Sequence, residues 1–333
     1  MSSLSVGIVG IPNAGKSTLF NALLQRQIAD VAEYPFTTIE PNTGVVEVPD
    51  ERLKKLSEVL GIAKVVPAPV KFIDIAGLVK GAHKGEGLGN KFLSHIRETN
   101  AIIHIVRDFE NPNVPHVVGK IDPLHDITIV NLELILADFE VVVRRLADKK
   151  LEHRQKEVLG KIKKVLEEGK MAMEADLTDE EKKLVAELNF LTMKPMIYAI
   201  NTNYEKVNEL SPDEFKKVIG ESKVLILSAK LSGEPLLGLI KEAYKALDLI
   251  TFYTIKGEKE VRAWPLRVGE TALRASEQVH TDMAKGFIKA EVINWQELVS
   301  LGSWAQAKRS GKIRIEGKDY QVQDGEVLEI KFH

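Results

Sequence analysis

The chain contains no cysteine. Disulfides, thiolate metal sites and switches that depend on thiol oxidation are therefore excluded within it. It has no apolar run long enough to cross a membrane, and its first residues carry neither a basic leader nor an apolar stretch ahead of the first strand-like segment. The expectation is a cytoplasmic protein that does not engage membranes. An excess of one charge sign is missing too, since 46 Lys and Arg stand against 48 Asp and Glu for a formal net charge of −2. Bulk charge cannot coat nucleic acid here, so any RNA contact must be local. Aromatic residues are sparse at 6%, but hydrophobic residues reach 44% of 333 positions, enough for two or three domains with cores of their own.

What is present begins with GIPNAGKS, Gly10 to Ser17, between the β-branched run Ser5–Val9 and a helix-like STLFNALL. The spacing is that of G-x-x-x-x-G-K-[ST], a pattern expected by chance in about 1% of chains of this length. In such a loop the backbone N–H groups from Asn13 through Thr18 curl around the β-phosphate, aided by the positive end of the helix. Lys16 is placed to reach the β- and γ-phosphates, and the Ser17 hydroxyl to ligate Mg²⁺. Two further stretches suit a switch protein. In YPFTTIEPNTG, Thr37 and Thr38 bring a hydroxyl and a backbone N–H toward Mg²⁺ and the γ-phosphate, with Thr38 taken as the metal ligand. In KFIDIAGLVKGAHKGEGLGN, Asp74 and Gly77 stand at D-x-x-G spacing, Asp74 for a Mg²⁺-bound water and Gly77 for the γ-phosphate.

These stretches, with the C-terminal VRAWPL, VHTDMAKGFIKAEVI and EGKDYQVQDGEVLEI, resemble the YchF / Obg-like ATPase family over nearly the whole chain. The resemblance is weakest in the central helical region and just after residue 230, where this sequence is shorter than the family usually is. It implies an α/β P-loop NTPase domain with an inserted helical hairpin and a C-terminal β-grasp (TGS-like) domain. The expected boundaries are 1–122 with 194–249 for the nucleotide domain, 123–193 for the insertion and 250–333 for the TGS-like domain.

Guanine-specific switch proteins carry N-K-x-D, whose Asp accepts two hydrogen bonds from the base. Here the apolar run Met196–Ile200 ends in Asn201-Thr202-Asn203-Tyr204, and a Tyr hydroxyl cannot replace that paired anionic acceptor. Asn201 remains able to read either purine edge through its amide. Guanine loses its discriminating partner, so ATP becomes at least as suitable, while Glu205, one residue later, keeps a GTPase reading open. The family implies ATP, usually with N-x-x-E at this place, a pattern from which Tyr204 departs. Asn201, Thr202 and the Ser228-Ala229-Lys230 turn are the expected base-side residues.

Where many switch GTPases have a water-orienting Gln after D-x-x-G, this chain has Leu78, which can neither orient nor deprotonate water. Catalysis must then draw on phosphate oxygens, a cation or another side chain. Asn13 suits a K⁺ ion placed between the phosphates, where it neutralises developing charge. His83 and His116 are the candidate imidazoles, and the resemblance favours His116. Lys16, Asn13 and His116 form the expected catalytic set.

From Ile127, apolar residues at 127, 130, 134, 137 and 141 mark a long amphipathic helix, and Val158, Ile162 and Val165 mark an antiparallel partner. Thr178 and Glu181 form a possible capping box. Residues 140–170 hold ten Lys and Arg against six Asp and Glu. This excess suits an RNA backbone or a solvated coiled-coil face equally. Past Leu249, the runs TFYTI, VRAW, KAEVI, YQV and VLEI read as five strands, with a helix near 271–280. The three Trp residues there suit either base stacking or a small core.

The expected function is a Mg²⁺-dependent switch ATPase, active as a monomer. The family resemblance adds the ribosome or translation-associated RNA as partner, reached through the hairpin and the TGS-like domain. Two rivals remain: a nucleotide-gated binding module with negligible turnover, which Leu78 suits, and a conventional GTPase that depends on Glu205.

Overall fold

The computed structural model describes residues 4–25, 42–75, 77, 88–117, 119–220, 222–228, 233–257 and 259–333. The chain divides into two compact units, Met1–Gly44 with Lys71–Leu239, and Val45–Val70 with Ile240–His333. The division differs from the sequence-based boundaries in two respects. The helical insertion counts within the first unit, and residues 45–70 and 240–249, expected in the nucleotide domain, count with the C-terminal one.

The strands up to residue 227 are β1 (Ser5–Val9), β2 (Thr43–Glu47), β3 (Lys64–Val66), β4 (Pro69–Asp74), β5 (Ala101–Asp108), β6 (Met196–Thr202) and β7 (Lys223–Leu227). Six of them form one sheet in the order β2-β4-β1-β5-β6-β7, in which β4–β1, β1–β5, β5–β6 and β6–β7 pair in parallel. A parallel sheet is covered on both faces, so its strands are continuously apolar. All of β1 and β6 is buried accordingly. The order places the C-terminal ends of β4, β1, β5 and β6 side by side, the crevice in which open α/β sheets bind ligands.

The first helices are α1 (Lys16–Leu24), α2 (Glu51–Leu60) and α3 (Leu88–Glu98). The insertion follows as α4 (Pro123–Leu146), α5 (His153–Glu167) and α6 (Asp179–Val185). Ile127, Val130, Leu134 and Ala137 are buried along α4, as their spacing requires. Val142, Val158, Leu159, Ile162 and Leu166 belong to the insertion's own core. Thr178 caps α6, accepting from the Glu181 amide at 3.3 Å while the Glu181 carboxylate accepts from the Thr178 amide at 2.8 Å. The short α7 (Lys216–Ile219) and α8 (Glu234–Ala246) follow β6 and β7 respectively.

In the second unit, β8 (Leu249–Lys256), β9 (Glu260–Arg267), β10 (Phe287–Asn294), β11 (Arg314–Glu316) and β12 (Glu326–Phe332) join β3 in the order β11-β10-β12-β8-β9-β3. Helices α9 (Ala272–Val279), α10 (Thr281–Lys285), α11 (Trp295–Leu301) and α12 (Trp304–Arg309) complete it. The YQV run is not a strand: only Gln321 forms an isolated bridge, to Thr271, while Val322 packs into the core. RIE at 314–316 takes an edge position instead, and β3 pairs in parallel with β9 at the other edge. Trp264 is core, stacked on Phe252 at 6.5 Å between centroids. The 45–70 segment is tied in by a polar cluster in which Tyr253 donates to Asp50 at 2.5 Å and Arg52 bridges Asp50 and Asp324.

Candidate nucleotide-binding site

The phosphate loop leaves β1 at Gly10 and enters α1 at Lys16 with backbone that most residues avoid, φ being +65° at Asn13 and +101° at Gly15. Gly15 is required for a second reason, because a Cβ there would come within 2.3 Å of the Asn201 amide nitrogen. The Lys16 ammonium is folded back onto the loop and donates to the carbonyls of Ile11 at 2.9 Å and Gly10 at 3.3 Å. Burial pulls its pKa down to about 8, opposed by the negative charge of Asp74. An anion arriving in the loop would raise the pKa again and strengthen the charged form, which is the electrostatic condition for holding phosphate.

Ser17 Oγ donates to Asp74 Oδ2 at 2.9 Å, although 57 residues separate them. Two hard oxygen donors side by side at the mouth of the loop suit a divalent cation that completes its shell with phosphate and water. No group of three or more His, Cys, Asp or Glu able to hold a metal occurs among the described residues. Gly77 backs onto the same loop: a Cβ there would lie 3.0 Å from Lys16 Nζ and 3.1 Å from the Pro12 backbone. Thr18 is exposed on the first turn of α1. Thr38, Leu78, His83 and Ala229 lie outside the described residues, and Ser228, the last described residue after β7, is half-buried.

On the base side, Asn201 is buried and its amide nitrogen donates one hydrogen to the Ala14 carbonyl at 2.9 Å, which ties the end of β6 to the phosphate loop. Thr202 is turned to Asp108, with its hydroxyl 2.8 Å from Oδ2. The register explains this, since Asp108 and Thr202 are paired at the ends of β5 and β6. Tyr204 is 67% exposed in a short 3₁₀ turn, and Glu205 beside it is exposed as well.

His116 Nε2 lies 2.9 Å from Asp126 Oδ2, with side chains 4% and 1% exposed. Burial pushes the Asp126 carboxyl above the usual carboxylate range, against the pull of His116. The Asn13 amide donates to the Pro115 carbonyl at 3.0 Å, so the residue preceding His116 touches the phosphate loop. Arg107, only 2% exposed, organises this segment by donating to the carbonyls of Phe109, Val114 and Pro115 at 3.1, 2.7 and 3.4 Å. Sequence reasoning missed Arg107, Asp108 and Asp126. A signal existed for the first: a guanidinium inside the apolar run AIIHIVRD must find several acceptors to be buried.

A family model described as a 50S ribosome-binding GTPase matches residues 5–144, and the YchF-GTPase_C model matches 249–333. The chain is 44% identical to the ribosome-binding ATPase YchF of Bacillus subtilis, covering 99% of this chain and 100% of that one. Against the Haemophilus influenzae protein of the same description, identity is 45% with 98% of each chain covered. The YchF GTPase structure from Schizosaccharomyces pombe superposes with a TM-score of 0.84 at 32% identity, over 99% of this chain and 98% of that one. With likeness of this degree running along whole chains, and with a phosphate loop, Asp74 and Gly77 gathered at the C-terminal ends of β1 and β4, the chain belongs to the YchF family of P-loop NTPases.

Proposed function

We propose that this chain is a Mg²⁺-dependent switch ATPase that hydrolyses ATP to ADP and phosphate with relaxed GTP selectivity, and that it binds ribosomes or translation-associated RNA in the cytoplasm. The observation that carries the base assignment is the exposed Tyr204 where a guanine-reading carboxylate would stand. That the bacterial relatives are ribosome-binding ATPases supports both ATP hydrolysis and ribosome binding. Ser17 and Asp74 would hold Mg²⁺, with Thr38 as a further ligand, and the cation would neutralise phosphate charge. Lys16 supplies positive charge to the β- and γ-phosphates, the loop amides from Asn13 to Thr18 hold them, and Gly77 reads the γ-phosphate. The partner surface is assigned to the α4–α5 hairpin and the TGS-like C-terminal domain. On the hairpin, Arg154, Lys161 and Lys163 are already paired with Glu180, Glu181 and Glu167, so RNA contact would fall to cations such as Lys149, Lys150 and Lys156.

Calorimetric titration of the nucleotide-free protein with non-hydrolysable ATP and GTP analogues, in one Mg²⁺ and K⁺ buffer, tests the base assignment. ATP is expected to bind at least as tightly as GTP. Asn201→Ala, which removes the contact to Ala14, is expected to weaken both analogues alike, by about fivefold to tenfold for one buried hydrogen bond. A clear preference for the GTP analogue would overturn the ATPase reading in favour of the GTPase.

Asn13 carries a second expectation. With its amide nitrogen given to Pro115, its carbonyl oxygen faces the other way and suits K⁺ between the phosphates. Turnover is expected to rise several-fold when KCl replaces NaCl, and Asn13→Ala to abolish the difference. Equal rates in the two salts for the unaltered protein remove K⁺ from the mechanism.

A further inference from the structure

We propose that Asp126 is a positioning residue for hydrolysis: it holds the His116 imidazole through Nε2 and so makes the first turn of α4 part of the catalytic apparatus. The inference rests on the reading that His116 takes part in turnover.

Three observations carry it. The His116–Asp126 contact is short and closed from solvent on both sides. The carboxylate faces Nε2 at 2.9 Å and so fixes the orientation of the ring. Second, Asp126 Oδ1 is buried and has no hydrogen-bond partner among the described residues. A half-satisfied buried carboxylate costs stability, so its cohesive value is small and its effect on the imidazole is the larger consequence. Third, the preceding residue is anchored from two directions: the Pro115 carbonyl accepts from Asn13 of the phosphate loop and from buried Arg107. His116 is thus suspended between the phosphate loop and α4, and Asp126 is its link to the insertion. A partner that shifts α4 would move the imbedded imidazole without touching the nucleotide.

Asp126→Asn, Asp126→Glu, His116→Ala and the His116→Ala/Asp126→Asn double variant of the full chain separate the possibilities. Turnover of ATP and affinity for a non-hydrolysable ATP analogue are measured for each. Asp126→Asn is expected to lower kcat at least about tenfold while analogue affinity stays within about twofold, Asp126→Glu to recover part of the loss, and the double variant to be no slower than His116→Ala. Asp126→Asn turning over normally while His116→Ala is slow would overturn the inference, as would losses that multiply in the double variant. Normal turnover in His116→Ala would instead dismiss the role of His116 itself, a separately visible failure. Should Asp126→Asn lose analogue binding through misfolding, Asp126→Glu decides by the same comparison in the two backgrounds.

Discussion

Replacing Lys16 with Ala is expected to lower ATP turnover by about a thousandfold or more, the scale found when a preorganised charge on a transferring phosphoryl group is removed. In the structure the ammonium is buried at 8% exposure, held by the Gly10 and Ile11 carbonyls, with Gly77 close behind it. No other cationic side chain among the described residues is built into the loop, so no neighbour can take over the charge. Affinity for the ATP analogue is expected to fall as well, since the same group serves the ground state. Lys16→Arg should not rescue turnover, because the planar guanidinium does not fit a position shaped around an ammonium. Steady-state phosphate release measures the effect, and a Lys16→Ala rate within tenfold of the unaltered protein would remove Lys16 from the chemistry.

The second large effect concerns stability. Asp138, fully buried on α4, accepts from the Leu191 amide at 2.9 Å and from the Thr192 amide and hydroxyl at 2.7 Å each, and Arg97 approaches at 3.5 Å. Burial pushes its carboxyl up in pKa, against the pull of those four partners. The cluster joins the end of α3, the middle of α4 and the segment entering β6, so it ties the insertion to the sheet that carries Asn201. Asp138→Ala strands two amides and a hydroxyl and removes the carboxylate beside Arg97, which keeps its contacts to the Asn189 and Ala137 carbonyls; it is expected to cost about 3–5 kcal/mol. Asp138→Asn should cost less, because one acceptor oxygen survives. Unfolding in urea followed by helical circular dichroism is the measurement. Trp fluorescence would report elsewhere, because all three indoles lie in the C-terminal unit. A loss under 1 kcal/mol for Asp138→Ala would show that the junction carries little of the stability.

Much of the molecule was legible before any coordinate. The phosphate loop is a local device: a strand, a glycine turn and a helix start within one short segment, so its spacing alone specifies its geometry. The same holds for the Thr178–Glu181 cap and for the α4–α5 hairpin, whose periodicity writes the buried face directly into the chain. Asp74 and Gly77 were readable because D-x-x-G is a fixed spacing at a strand end. The base-side residues were only half readable. Sequence identified Asn201 and the absence of a carboxylate at 204. The direction of the Asn201 amide depends on how β6 lies beside the loop after β1, a pairing 187 residues apart in the chain.

The C-terminal unit shows the same limit in another form. TFYTI, VRAW, KAEVI and VLEI were visible as strands because each is a short run rich in β-branched, aromatic and other apolar residues. YQV is more apolar than RIE, yet RIE is the edge strand, because a partner is supplied by β10 and not by local preference. Likewise, nothing in KVV at 64–66 announces that it pairs with β9 nearly 200 residues later. Sequence by itself determined the P-loop NTPase class, the helical insertion and the family. Only the tertiary structure decided which groups meet: Asn201 with Ala14, His116 with Asp126, Asp138 with Thr192, and the 45–70 segment with the second sheet. The physical reason is that local spacing fixes turns, caps and amphipathic faces, whereas a buried polar group takes whichever partner the packed elements bring within hydrogen-bond reach.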